Sequence, residues 1–363
     1  MQEYVAPEFF FIRLFLVPQT LIHSIEANGD YKPWLFLALF VAASFLMIWR
    51  LEAMSASGFE GTVLGTLVMP YCSGLGNLIF AFILGRNGGN GADVMTNSLV
   101  NNVTNMTLVL GLPAILWGIR VLPKKGPARK TVKMNVSATL NKKAGTVGKT
   151  HALNRLSLLL TLTAVLFFTG AVWAFGRDGI ITFNEGLVLV GLFLFWQCFH
   201  VIDVLKHNVR QGKSGFGWML PVDLALLGLG AYGIYLSTEW LVDWVSHIHT
   251  GFISVKYLGW LSGWLMVLPN ALLAFYYSWR GQPETVYASQ VGDAHVSIPL
   301  CVGIYALYHT LVIGRDFQVG MVILVGATLV HFLCVAVLGQ LPRAVGWVLV
   351  AAYGIFLYKG LLE

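Results

Sequence analysis

Apolar stretches long enough to cross a membrane recur ten times along the chain, separated by short polar segments. A hydrocarbon core of about 30 Å takes about 20 helical residues at a rise of about 1.5 Å each. Windows of that kind fall near residues 33–53, 60–84, 95–120, 156–176, 183–205, 217–244, 253–279, 286–313, 318–339 and 342–361. Inside lipid a helix satisfies its own backbone groups, so each window predicts a transmembrane helix. The second, seventh and eighth windows differ from the rest in carrying Gly, Pro and polar side chains. An earlier apolar run, Phe9 to Val17, is too short to span, carries Arg13 and is followed by Pro18. It reads as a helix lying on the membrane surface, and no removable signal peptide is recognised ahead of it.

Composition agrees with this pattern. The 363 residues are 57% hydrophobic and 11% charged, with a mean hydropathy of +0.72, whereas a soluble domain carries about 25% charged residues. The net charge of +6 acquires meaning only from its distribution. With ten spans, the loops on one side hold 16 of the 23 Lys and Arg residues, ten of them between Arg120 and Arg155. The positive-inside rule then puts both termini outside and a basic loop over 121–155 in the cytoplasm, in the cell (inner) membrane. The charge therefore reads as membrane orientation and not as a nucleic-acid surface. Cys72, Cys198, Cys301 and Cys334 all lie in apolar stretches without paired spacing, as small core residues do.

The two halves of the chain correspond. Ser55 to Leu112 contains Gly58-Phe59, then a helix interrupted by Pro70, then a second helix with a polar first half that ends at Gly111. Thr250 to Ile304 contains Gly251-Phe252, then Pro269, then a polar helix ending at Gly303. With five spans per half, the second copy enters the membrane from the opposite face. The expected organisation is an external segment over 1–32, a first five-helix repeat over 33–205 and an inverted second repeat over 206–363. Proline in mid-helix frees a carbonyl and kinks the segment. Two such helices meeting near the midplane form the ion sites of many secondary transporters.

Polar residues concentrate in the helices that follow the two prolines. Ser98, Asn102 and Asn105 fall at i, i+4 and i+7 on one helical face, and Ser289 and Asp293 repeat the i, i+4 spacing in the second half. Amide and hydroxyl oxygens suit hard cations and also hold helices together. Asp293 is the strongest single candidate, because a carboxylate inside a span is expensive and usually functional. Asp203, Asp223, Glu239 and Asp243 lie toward helix ends, where water at the interface satisfies them. His200, His309 and His331 sit on apolar stretches without regular partner spacing and read as core histidines.

These motifs resemble the two α-repeats of the cation/Ca²⁺ exchanger superfamily, the sodium/calcium exchangers and their relatives. Gly65-Thr66 through Pro70 and Asn97 through Gly111 are similar to the first repeat. Leu265 to Asn270 and Gly292 to Gly303 are similar to the second. The stretch Arg177-Asp178-Gly179 through Asn184-Glu185-Gly186 resembles the segment before the family's fifth helix. The resemblance implies a sodium/calcium exchanger-like fold and a secondary cation antiporter working by alternating access, which moves Ca²⁺ or another cation against Na⁺ or H⁺. It implies no enzyme activity and no cofactor, the ions being substrates; the expected partners are inorganic cations and the lipid bilayer. The family's two glutamates, directly after each proline, correspond here to Tyr71 and Asn270. The expected ligand set is Asp293 with Asn102, Ser98, Ser289, Asn270, Tyr71, Asn105 and Thr66. Aligning the Ser-x-x-x pairs puts Asp293 opposite Asn102, whereas aligning Gly303 with Gly111 puts Ala294 there; the first alignment gives the site its carboxylate. Loss of both glutamates also admits a non-transporting sensor or scaffold.

Overall fold

The computed structural model describes residues 32–56, 69–120, 137–211, 220–281 and 283–362. Ten long helices fall on the ten apolar windows. They are α1 (Lys32–Ala56), α2 (Met69–Asn87), α3 (Gly91–Thr104), α4 (Ser137–Phe175) and α5 (Phe183–Gln211), followed by α6 (Leu220–Ser246), α7 (Leu258–Trp279), α8 (Pro283–Ala306), α9 (Phe317–Leu333) and α10 (Arg343–Leu357). Helix α3 continues through a π turn over Asn105–Val109 into Leu110–Leu116, and α9 and α10 end in π turns over Cys334–Leu338 and Tyr358–Leu362. Seven of the ten are long and apolar enough to cross a membrane; α2, α5 and α8 are the more polar or shorter-windowed remainder. Helix α4 begins at Ser137, so the later part of the segment expected to be a basic loop is helical. An apolar helix already nucleated in the membrane extends outward at little cost through residues such as Ala, Leu and Lys. The surface helix expected over Phe9 to Val17 lies outside the described residues.

Polarity is distributed inside out. Asn97, Asn101, Asn102 and Asn105 of α3 are fully buried, whereas Phe195 and Val337 are 71% and 74% exposed. Water would penalise that surface, but lipid tails solvate it, and polar side chains retreat inward to pair with one another. Helix α3 is the most enclosed of the seven apolar spans, and α7 is the next.

Four two-residue strands reveal the internal symmetry. β1 (Ile119–Arg120), after α3, pairs antiparallel with β4 (Gln340–Leu341), between α9 and α10. β2 (Ile180–Ile181), between α4 and α5, pairs in the same way with β3 (Leu311–Val312), after α8. Ile119 faces Leu341 as Leu311 faces Ile181, with these four residues buried and their strand neighbours exposed or nearly so. The glycines repeat the relation: a Cβ on Gly111 would sit 3.1 Å from the carbonyl of Gly346, and one on Gly303 would sit 3.1 Å from that of Gly186. Each half thus lends its counterpart the same contacts. The two strand pairs flank α9, which with its terminal π turn spans 22 residues, about 33 Å, so they lie at opposite ends of the bundle.

Helices α1 and α6 pack on each other through small residues. Gly230 and Gly233 admit Met47 and Ala43, and Phe36 stacks on Trp240 with ring centroids 4.2 Å apart. Two acidic groups expected to rely on interfacial water pair with arginines instead. Asp223 meets Arg50 at 3.3 Å, and Glu239 meets Arg86 of α2 at 2.8 Å. Cys301 and Cys334 are buried, as expected of core residues, but Cys198 is exposed on the outer face of α5.

Candidate cation site

Glycines bring the two halves into contact at the centre of the bundle. Along α7, Gly263 lies so near α3 that a Cβ would stand 2.7 Å from Val100 and 3.0 Å from the Asn97 carbonyl. Helix α2 approaches α8 in the same manner, and a Cβ on Gly74 would stand 2.8 Å from Oδ1 of Asp293. Pro269 lies inside the continuous helix α7, directly before Asn270, and cannot donate to the carbonyl one turn back.

Asp293 is fully buried at this meeting point. Its Oδ2 accepts from Nδ2 of Asn105 at 2.7 Å, of Asn101 at 2.8 Å and of Asn270 at 3.3 Å. Three amides from two helices therefore converge on one carboxylate oxygen. Charge-assisted bonds of this kind are roughly twice as strong as neutral ones, which offsets part of the cost of keeping the carboxylate out of water. Among the described residues, the other oxygen, Asp293 Oδ1, has no hydrogen-bond partner, and neither do Oδ1 of Asn101, Asn105 and Asn270, Oε1 of Gln290 or Oγ of Ser289. All are buried. Buried oxygens are ordinarily paired. A carboxylate and the three carboxamides bonded to it, with Ser289 and Gln290 on the preceding turn of α8, are a donor set of the chemistry that suits a hard cation.

A second network locks the helices carrying these groups. Asn102 donates to the Ser98 carbonyl at 2.6 Å, and its own Oδ1 accepts from Ser297 at 3.0 Å. Ser297 reaches the Asp293 carbonyl as well, at 2.9 Å. Asn97 donates to Ser262 of α7 at 3.0 Å, and Gln290 donates to the Asn270 carbonyl at 3.3 Å. On the far side of α3, His331 of α9 bonds the Met106 carbonyl within the π turn at 2.7 Å and also bonds the Tyr287 hydroxyl. The π turn starts at Asn105, so this clamp holds the backbone that presents one of the three amides.

Of the expected ligands, the structure joins Asn105 and Asn270 to Asp293 directly. Ser289 lies one turn before Asp293 on α8, buried and without a hydrogen-bond partner among the described residues. Ser98 and Asn102 belong to the α3–α8 lock and do not bond the carboxylate. Thr66 lies outside the described residues, and Tyr71 is placed in α2 with its side chain outside those described. His309 is exposed beyond the end of α8 and is no core histidine. Sequence reasoning missed Asn101, Gln290 and Gly74. The Gly111–Gly303 alignment, set aside in favour of the Ser-x-x-x pairs, places Asn101 opposite Asp293, 192 residues on; the strands β1 and β3 carry the same offset, so Asn101 and not Asn102 is the symmetry counterpart.

A bundle with apolar residues outward, polar residues at its centre and one carboxylate among amides where related helices cross is built like an ion-translocating membrane protein. The profile of the family described as "Sodium/calcium exchanger protein" matches residues 34–201 and 222–359. The chain belongs to that family, whose members are transporters and not enzymes, with ions as substrates and no cofactor. No curated protein sequence matches significantly. Among solved structures, the chain is similar to the sodium-calcium exchanger NCX_Mj. For a crystal soaked with 2.5 mM Na⁺ and 10 mM Sr²⁺ the TM-score is 0.59 at 22% identity, covering 89% of this chain and 95% of that one. For one soaked with 2.5 mM Na⁺ and 0.1 mM Ca²⁺ it is 0.59 at 23% identity, covering 90% and 96%. This likeness is one of fold.

Proposed function

We propose that the protein is a secondary antiporter that exchanges inorganic cations by alternating access, with the Asp293 cluster as the shared binding site. The observation that carries this reading is the fully buried carboxylate, bonded by three amides, whose Oδ1 and whose amide oxygens find no partner among the described residues. Holding such a group inside a membrane is costly, and packing alone has no use for it. In this reading Asp293 supplies the charge, and Asn101, Asn105, Asn270 and Ser289 supply neutral oxygens. Ser98, Asn102 and Ser297 keep the two carrying helices in register. The cations that NCX_Mj crystals were soaked with, Na⁺, Ca²⁺ and Sr²⁺, are consistent with a hard-cation site in this fold.

The proposed setting is the cell membrane, with both termini outside and the 121–155 segment cytoplasmic. Two features support it: the excess of Lys and Arg on one side, and strand pairs that alternate ends of the bundle as ten crossings require. Tracer uptake into proteoliposomes tests the function. Exchange predicts that labelled cation enters only when unlabelled cation is present inside; uptake indifferent to the interior would refute it.

A further inference from the structure

The chemistry of the site sets the charge of the ion it takes. Among the described residues, Asp293 is the one carboxylate in the cluster; every other side chain bonded to it is a carboxamide. Among the described residues, those that touch its carboxylate are Asn101 and Asn105 from α3 and its π turn, Asn270 from α7 and Gly74 from α2. Asp93, the other acidic group of α3, lies more than two turns away toward the helix start, where its Oδ1 accepts from the Gly259 amide at 3.3 Å. Arg86 of α2 is engaged by Glu239 at the helix end. The described side chains of the cluster thus bring one negative charge, enclosed in a low-dielectric interior.

We infer that the Asp293 site takes a single monovalent cation and discriminates against Ca²⁺. The inference rests on reading Asp293 as a cation ligand and adds the charge class to that reading. One monovalent ion leaves the closed site neutral. One divalent ion leaves a full positive charge buried among amide dipoles, and burial of an uncompensated charge is strongly disfavoured. Calcium sites of useful affinity gather several anionic oxygens for this reason, and amide oxygens solvate a cation without cancelling its charge. The symmetry indicates where a second charge belongs. Asn101 is the counterpart of Asp293 and touches it at 2.8 Å, so Asn101→Asp would set a second carboxylate across the pseudo-twofold axis with almost no change in volume.

The test is thermal unfolding of the purified protein, titrated with NaCl, KCl and CaCl₂ at constant ionic strength, for wild type, Asp293→Asn and Asn101→Asp. The expected result is saturable stabilisation of wild type by Na⁺ or K⁺ but not by Ca²⁺, lost in Asp293→Asn. Asn101→Asp should raise the apparent Ca²⁺ affinity at least tenfold. Stabilisation of wild type by Ca²⁺ as strong as by the monovalent ions, and lost in Asp293→Asn, would overturn the charge assignment and leave the exchanger reading standing. No saturable effect of any of the three ions would overturn both. The wild-type comparison decides the matter even if Asn101→Asp does not fold.

Discussion

Asn101 and Asp293, 192 residues apart and equivalent in the two halves of the chain, touch at 2.8 Å through an amide N–H and a carboxylate oxygen. Symmetry counterparts meet in this way only where the pseudo-twofold axis passes between them. The contact therefore marks the centre of the bundle, and the asymmetry between amide and acid concentrates the charge of the site on one side of it.

Asp293→Asn keeps the shape of the cluster and removes its charge. The variant should insert and fold, since an amide oxygen still accepts from Asn101, Asn105 and Asn270 once it faces them. Cation exchange should fall at least about tenfold, the equivalent of about 1.4 kcal/mol of lost ion binding. Flux assays on matched amounts of folded protein check this, and unchanged flux would count against Asp293 as a ligand.

Gly74→Ala tests the free side of the carboxylate. The added Cβ would stand 2.8 Å from Asp293 Oδ1, so either the carboxylate or α2 must move. Overpacking of this kind costs about 1–3 kcal/mol, and its larger effect should fall on ion affinity, because Oδ1 is the oxygen left for the ion. Ion titrations of thermal stability that match wild type would contradict the placement.

The clamp on the π turn predicts a stability effect remote from the ion. His331→Ala leaves the Met106 carbonyl and the Tyr287 hydroxyl without their partner. Orphaned buried groups cost about 1–3 kcal/mol, so the melting temperature should fall by several degrees. Tyr287→Phe removes only one of these bonds and should cost less. Equal melting temperatures for His331→Ala and wild type would show that the clamp carries no load.

Topology can be read from the strand pairs. Arg120 and Gln340 pair across β1 and β4, and antiparallel partners have Cα atoms about 4.5–5.5 Å apart, within disulfide range. Cysteines at both positions should oxidise to a cross-link in a background lacking the native cysteines. Impermeant thiol reagents should then label a single cysteine at Arg120 only from the cytoplasm and one at Val312 only from outside. Labelling of both from one side would contradict the ten-span arrangement.

Much of this molecule was legible in the sequence, because helices in lipid announce themselves by length and apolarity. Each of the ten windows overlaps a helix among the described residues, seven of them long and apolar enough to cross a membrane, and Asp293 stood out as a charge where charge is costly. Finer geometry was less accessible. The i, i+4 spacing of Ser98 and Asn102 matched that of Ser289 and Asp293, yet spacing on one helix says nothing of which face meets the partner. The packed structure answers that question, with Asn101 and Asn105 bonded to Asp293 and Asn102 bonded to Ser297. Gly74 contributes by what it lacks, which only the neighbouring helix makes visible. The helical continuation of α4 back to Ser137 was hidden because lysines there read as a charged loop.

The most direct test is isotope exchange in proteoliposomes loaded with unlabelled Na⁺, with labelled Na⁺ outside, comparing wild type with Asp293→Asn. Wild type should show uptake well above protein-free liposomes, dependent on internal cation and reduced to background by the substitution. Wild-type uptake at background with Na⁺, and likewise with K⁺ and Ca²⁺, or uptake that Asp293→Asn leaves intact, would contradict cation exchange at Asp293.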